Sequence, residues 1–155
     1  MTNNDILRRL RYTFDFSDEQ MIGIFELADQ IVSRAVVSNW MKKEEDEDHQ
    51  NMTDLQLCSF LDGLINLKRG KREDRQDEPL EYLSNNMILR KLKIACSYKN
   101  EDLLEILKLV DMRISKHELS AFFRNPKQSQ YRPLKDQILR KFIYGLQIKH
   151  RGKEK

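Results

Sequence analysis

Two sets of residues in this chain could do chemistry on a ligand. The first is basic. Arg69-Gly70-Lys71 and Arg151-Gly152-Lys153 stand 82 positions apart, and so do Arg8 and Arg90, each within a run of cations (Arg8, Arg9, Arg11; Arg90, Lys91, Lys93). Arg8, Arg69, Lys71, Arg90, Arg151 and Lys153 could form two related phosphate sites, because guanidinium and ammonium groups make strong charge-assisted hydrogen bonds to phosphate oxygens. The competing reading is structural: cations in a helix's last turn offset the negative end of its dipole, worth about 0.3–1 kcal/mol each. The second set lies in Ile31–Met41, a capped helix behind an apolar turn residue, like the recognition half of a helix-turn-helix. Early residues of such a helix reach base edges in the major groove, and Arg and Asn make bidentate contacts to guanine and adenine. Arg34, Ala35, Ser38 and Asn39 would read there, with Lys116 in the corresponding place of the second corner. Against this, Asp29 stands where Gly is common, and Glu44–Asp48 are five acids that repel phosphate. In the second corner Glu118 sits on the helix and Ala121 replaces Asn39. The alternative is a packing corner with ordinary caps.

No catalytic pattern accompanies these cations. His49, His117 and His150 lack metal-ligand spacing, and His117-Glu118 begins like HExxH without the second His. There is no GxSxG, Walker loop or GxGxxG, and no carboxylate stands isolated on an apolar face. Cys58 and Cys96 fall on apolar faces and read as small core residues. No catalytic residue, metal or cofactor is expected.

The elements that must position these residues follow from composition and repetition. The chain has 155 residues, 5 Gly and 3 Pro, a net charge of +3 and a mean hydropathy of −0.71. So few turn residues exclude a β-sandwich or a Gly-rich phosphate-binding fold. No run of about 18 apolar residues is present, so no membrane span is expected. The start, MTNNDILRRLRYTF, lacks a signal peptide's apolar stretch, and the cysteines lack CxxC spacing, so a reducing cytoplasm is expected. Aligning residues 4–73 with 86–155 pairs 70 positions without a gap, and 19 are identical, about 27% against a chance level of roughly 6%. The chain therefore reads as two units, 4–73 and 86–155, joined by a linker at 74–85 that holds Pro79.

Each unit reads as four short helices. Ile6, Leu7, Leu10 and Phe14 share one face of the first, for which Asn4 and Asn86 are N-cap candidates. The second begins near Asp18 or Asn100 and the third at Ser33 or Ser115, where Ser115 and Glu118 fit a capping box. The fourth runs from about Thr53 to Lys68 with Leu57, Leu61, Leu64 and Ile65 on one face, and Gly70 and Gly152 suit a left-handed C′ position. Gly63 and Gly145 sit inside this helix, where Gly costs about 1 kcal/mol, which points to close helix–helix approach. Asp29 and Asp111, at a dipole's unfavourable end, are expected to pair with Arg8 and Arg90.

The openings Asn4-Asp5-Ile6-Leu7-Arg8 and Asn86-Met87-Ile88-Leu89-Arg90, with the closings Gly63-Leu64 through Arg69-Gly70-Lys71, resemble the YehS-like family of uncharacterised bacterial proteins. That family has about this length and the same tandem duplication, and Met87 departs from its acidic or amide residue. The resemblance implies no activity. A 70-residue unit buries little surface alone, so the expected architecture is all-α: two four-helix units, each with a helix-turn-helix-like corner, packed as one pseudo-symmetric body. The expected function is non-enzymatic binding, with DNA or another nucleic acid as the leading partner. A protein partner and a small ligand at the repeat interface are the alternatives.

Overall fold

The computed structural model describes residues 1–71 and 82–152, and among these every regular element is helical. The helices are α1 (Asn3–Phe14), α2 (Asp18–Leu27), α3 (Arg34–Met41), α4 (Asp54–Arg69), α5 (Asn85–Ala95), α6 (Asn100–Lys108), α7 (Lys116–Ala121) and α8 (Asp136–Arg151). Four helices per unit, as the sequence predicts, lie in equivalent order.

The units exchange their first helices. α1 packs most extensively on α8 of the other unit, and α5 on α4, while α2 packs on α4 and α6 on α8 within each unit. The two exchanged contacts interconvert under the 82-residue shift, which is the expected pseudo-two-fold relation. Leu7, Leu10, Phe25, Trp40, Leu57, Leu61, Leu92 and Phe142 are all buried in one continuous core. Neither unit therefore closes its core alone.

The four central helices run in the same direction. Leu83 N–H donates to Asp54 Oδ2 (3.0 Å) where α4 and α5 begin, Lys91 reaches Asp62 (2.5 Å) midway, and Arg69 reaches Ser97 (2.8 Å) at their ends. Arg140 lines a cleft with Met1 and Arg9 near the starts of α8 and α1, and Arg151 donates to Tyr12 O (3.0 Å) at their ends. Parallel helices align their dipoles, placing about half a negative charge per helix at the shared C-terminal end. Arg11, Lys68, Arg69, Lys93, Lys149 and Arg151 lie in or beside the last turns at that end.

Local chemistry repeats across the units and corrects several sequence expectations. The N-caps of α1 and α5 are Thr2 and Ser84, not Asn4 and Asn86. Those asparagines are buried fasteners in the first turn of each helix. Asn4 donates to Trp40 O (2.9 Å) and Gln50 O (2.8 Å) and accepts from Met52 N–H (2.9 Å). Asn86 makes the equivalent bonds to Phe122 O, Arg132 O and Leu134 N–H. Each side chain thus satisfies three backbone groups at and beyond the end of the third helix, two of them in buried bonds.

The predicted Arg8–Asp29 pair is absent. Arg8 binds Asp5 (2.5 Å), Asp29 takes Lys71 (3.2 Å), and Arg90 donates to Phe123 O (2.6 Å). Asp29 and Asp111 are needed for their backbone, with φ of 59° and 57°. Both close Schellman motifs: Gln30 N–H reaches Phe25 O, and Met112 N–H reaches Leu107 O. Asp15 and Ser97 do the same after the first helices, and short polar residues tolerate this left-handed region. Gly70 and Gly152 do have positive φ, but their ψ of 146° and 172° is extended rather than left-handed helical.

The glycine expectation holds. A Cβ on Gly63 would lie 1.9 Å from Ile24 O, and one on Gly145 would lie 2.5 Å from Ile106 O. α4 and α8 therefore press directly on the backbones of α2 and α6. Ser115 and Glu118 form the predicted capping box.

Candidate functional site

The corner helices do not gather their predicted readers into one cationic surface. Residues 28–33 join α2 to α3 and residues 109–115 join α6 to α7, longer than the 3–4-residue turn of the DNA-binding motif. Exposed Arg34 is held by Glu19. Ser38 is exposed, and Asn39 accepts from Lys42 (3.1 Å), which also pairs with Asp48 (3.6 Å) of the acidic run. Gln50 N–H bonds Asn39 O (3.2 Å), which brings the end of that acidic segment back against α3. Lys116 shares a shallow depression with Glu101 and Glu105 as well as Lys108 and Arg113.

The basic residues give a different picture. At the end of α5, Arg69, Arg90 and Lys93 line an open cleft of about 500 Å³ with Ile94, Ser97, Tyr98 and Phe123. Arg69 donates to Ser97 Oγ and, at 3.4 Å, to Ile94 O. Arg90 donates to Phe123 O, and Lys93 to Asn100 Oδ1 (2.6 Å), with its ammonium 4.5 Å from the Phe123 ring centre. Among the described residues none of these three cations pairs with a carboxylate.

The equivalent cations at the seam of α1 with α8 are Arg151, Arg8 and Arg11, and each has an acid. Arg151 lies 3.7 Å from Asp15, Arg8 2.5 Å from Asp5, and Arg11 2.7 Å from Asp18. The same three positions of the second unit carry Ser97, Met87 and Asn100. Both places need cations near helix ends, so the dipole alone does not account for the difference. Three substitutions leave three positive charges over in one cleft. Neutral carbonyl and amide partners orient these cations without cancelling them, so an anion entering the cleft meets donors already aimed. Sequence reasoning singled out Arg69 and Arg90 and placed Lys93 in the same basic run, but missed Tyr98 and Phe123. The available signal was the loss of three acids between the aligned units.

The remaining predicted residues are placed elsewhere. Lys71 is spent on Asp29, and Arg8 and Arg151 on their own acids. Lys153 lies outside the described residues, as does most of the linker. Beside the cleft, Tyr98 hydroxyl and His150 Nε2 are 3.2 Å apart, and Phe14 packs edge-on against His150. Burial, then the neighbouring Cys96, pushes Tyr98 up to about 12. Burial, with Lys68 and Lys149 nearby, lowers His150, and burial raises Cys96. These shifts favour the neutral forms of all three groups, and the charge at this corner is that of Lys68 and Lys149, which lie over the Phe14 and Tyr98 rings. The enclosed apolar space inside the second unit measures about 10 Å³, close to a single water-sized void. No described helix is long and apolar enough to cross a membrane.

The family described as "Protein of unknown function (DUF1456)" matches residues 3–70 and again 85–152. These limits coincide with the two four-helix units, each running from the first helix to the glycine after the last. Over 155 residues the chain is 37% identical to "Uncharacterized protein YehS" of Escherichia coli (strain K12), covering 99% of each. No solved structure matches it.

Proposed function

Since the chain belongs to the DUF1456 family and carries its unit twice, we propose that it is a non-enzymatic binding protein for a phosphate-bearing ligand, with nucleic acid the leading class. The ligand is held at the cleft of Arg69, Arg90 and Lys93, and the two helix-turn-helix-like corners serve to pack the units. One observation carries the reading: among the described residues these three cations converge without pairing to an acid, while their three equivalents are each neutralised.

The reading is tested by retention of the full chain on immobilised phosphate polymer across a salt gradient. Phosphate contacts made by cations weaken steeply as salt rises. Replacing Arg90 and Lys93 by Gln is expected to move elution to markedly lower salt. Replacing exposed Arg9 and Arg140 by Gln removes the same charge from another cleft and is expected to move it little. Equal shifts for both pairs would reduce the interaction to general charge and defeat the reading.

A further inference from the structure

We infer that the ligand is a single-stranded nucleic acid whose strand leaves the cleft over Phe123 and continues along the connection between α7 and α8. This rests on the cleft reading above and extends it to a surface that the basic motifs do not include. The connection is the segment in which the two units differ most in charge. Residues 42–50 of the first unit carry Lys42 and Lys43 against five acids, Glu44–Asp48. The equivalent residues 124–132 carry Arg124, Lys127 and Arg132 and no acid.

The basic segment joins the cleft directly. Phe123 lines the cleft and its carbonyl holds Arg90, and Arg124 is the next residue. The segment is also fastened in shape. Arg132 N–H donates to Ala121 O (3.2 Å), Arg132 O accepts from Asn86, and Arg124 reaches Gln130 Oε1 (2.8 Å) across the loop. Lys127 and Arg132 are exposed. A cleft whose three cations meet no carboxylate among the described residues thus opens onto a preformed basic rim.

The aromatic residues favour an unpaired strand. Tyr98, Phe123 and Tyr131, all half-buried, alternate with these cations along the path. A positive track interleaved with rings fits single strands, whose bases expose faces and edges that a duplex keeps stacked and paired. A duplex reader needs an element to enter a major groove about 12 Å wide. The corner helix that leads into this connection, α7, has six residues, carries Glu118 in its first turn, and begins at Lys116 beside Glu101 and Glu105.

The test titrates the full chain with a labelled oligothymidylate of about 15 nucleotides, at the upper end of single-strand site sizes. A duplex with the same number of phosphates and inorganic polyphosphate are compared with it. The single strand is expected to bind about tenfold tighter than either. Lys127→Gln with Arg132→Gln is expected to weaken it several-fold, with the melting temperature and the affinity for inorganic phosphate unchanged. Equal binding of polyphosphate, or tighter binding of the duplex, overturns the single-strand inference and leaves the cleft reading standing. An unaffected loop variant overturns the path. Failure to bind any of the three overturns both.

Discussion

Along α1, Arg8 lies against Asp5 near the helix's start and Arg11 and Arg151 against Asp18 and Asp15 at its end, whereas Arg90, Lys93 and Arg69 beside α5 have Met87, Asn100 and Ser97 in those places. At the position that follows Arg8 and Arg90 the assignment reverses. Lys91 is paired with buried Asp62, with Cys58 nearby, while its counterpart Arg9 shares an open cleft with Arg140. The features common to both units are the ones that build the fold. These are the fastening asparagines, the helix-crossing glycines, and the left-handed residues after each first and second helix. The features that differ are charges at the seams. After duplication, packing constrains the first group in both copies, while one copy's surface charge is free to change once the other holds the fold.

The comparison can be broken at its shared parts. Gly63→Ala is expected to destabilise by about 3 kcal/mol and Gly145→Ala by about 2 kcal/mol, as overpacking against a backbone carbonyl exceeds the roughly 1 kcal/mol gained in helix propensity. The order follows the tighter approach at Gly63, and urea unfolding of the two variants checks it. Equal or stabilising effects would mean that the crossings relax easily.

It can be sharpened at a part that differs. Lys91→Ala strands the Asp62 carboxylate, 9% exposed, and is expected to cost about 2 kcal/mol, less than a fully buried pair because the lysine side chain is 20% exposed. Arg9→Ala, the equivalent change at an exposed site, is expected to stay within about 0.5 kcal/mol. Thermal unfolding of both distinguishes an interior pair from a surface charge.

Much of the framework was legible in the sequence, because the 82-residue repeat doubles every periodic signal. The starts of α2 and α6, the Ser115 capping box and the glycine crossings all follow from local rules. Other roles were not legible for physical reasons. Asn4 and Asn86 satisfy both a cap and a buried fastener in one dimension, and only their distance from Trp40 O and Phe122 O decides. Asp29 suggested a charge partner because its left-handed backbone leaves no mark in a charge pattern. The cleft depends on helices exchanged between units, so Arg69 meets Arg90 and Lys93 only once α4 lies along α5.

The most direct measurement restores the first unit's acids to the second, as Met87→Asp with Ser97→Asp and Asn100→Asp. The first unit already accommodates these residues, so the melting temperature should hold. Affinity for a phosphate-bearing ligand should fall at least about tenfold, and the slope of log affinity against log salt should lose about 2 to 3. A variant that stays folded and binds such a ligand as tightly as the natural chain would contradict the claim that the unneutralised cleft is the site.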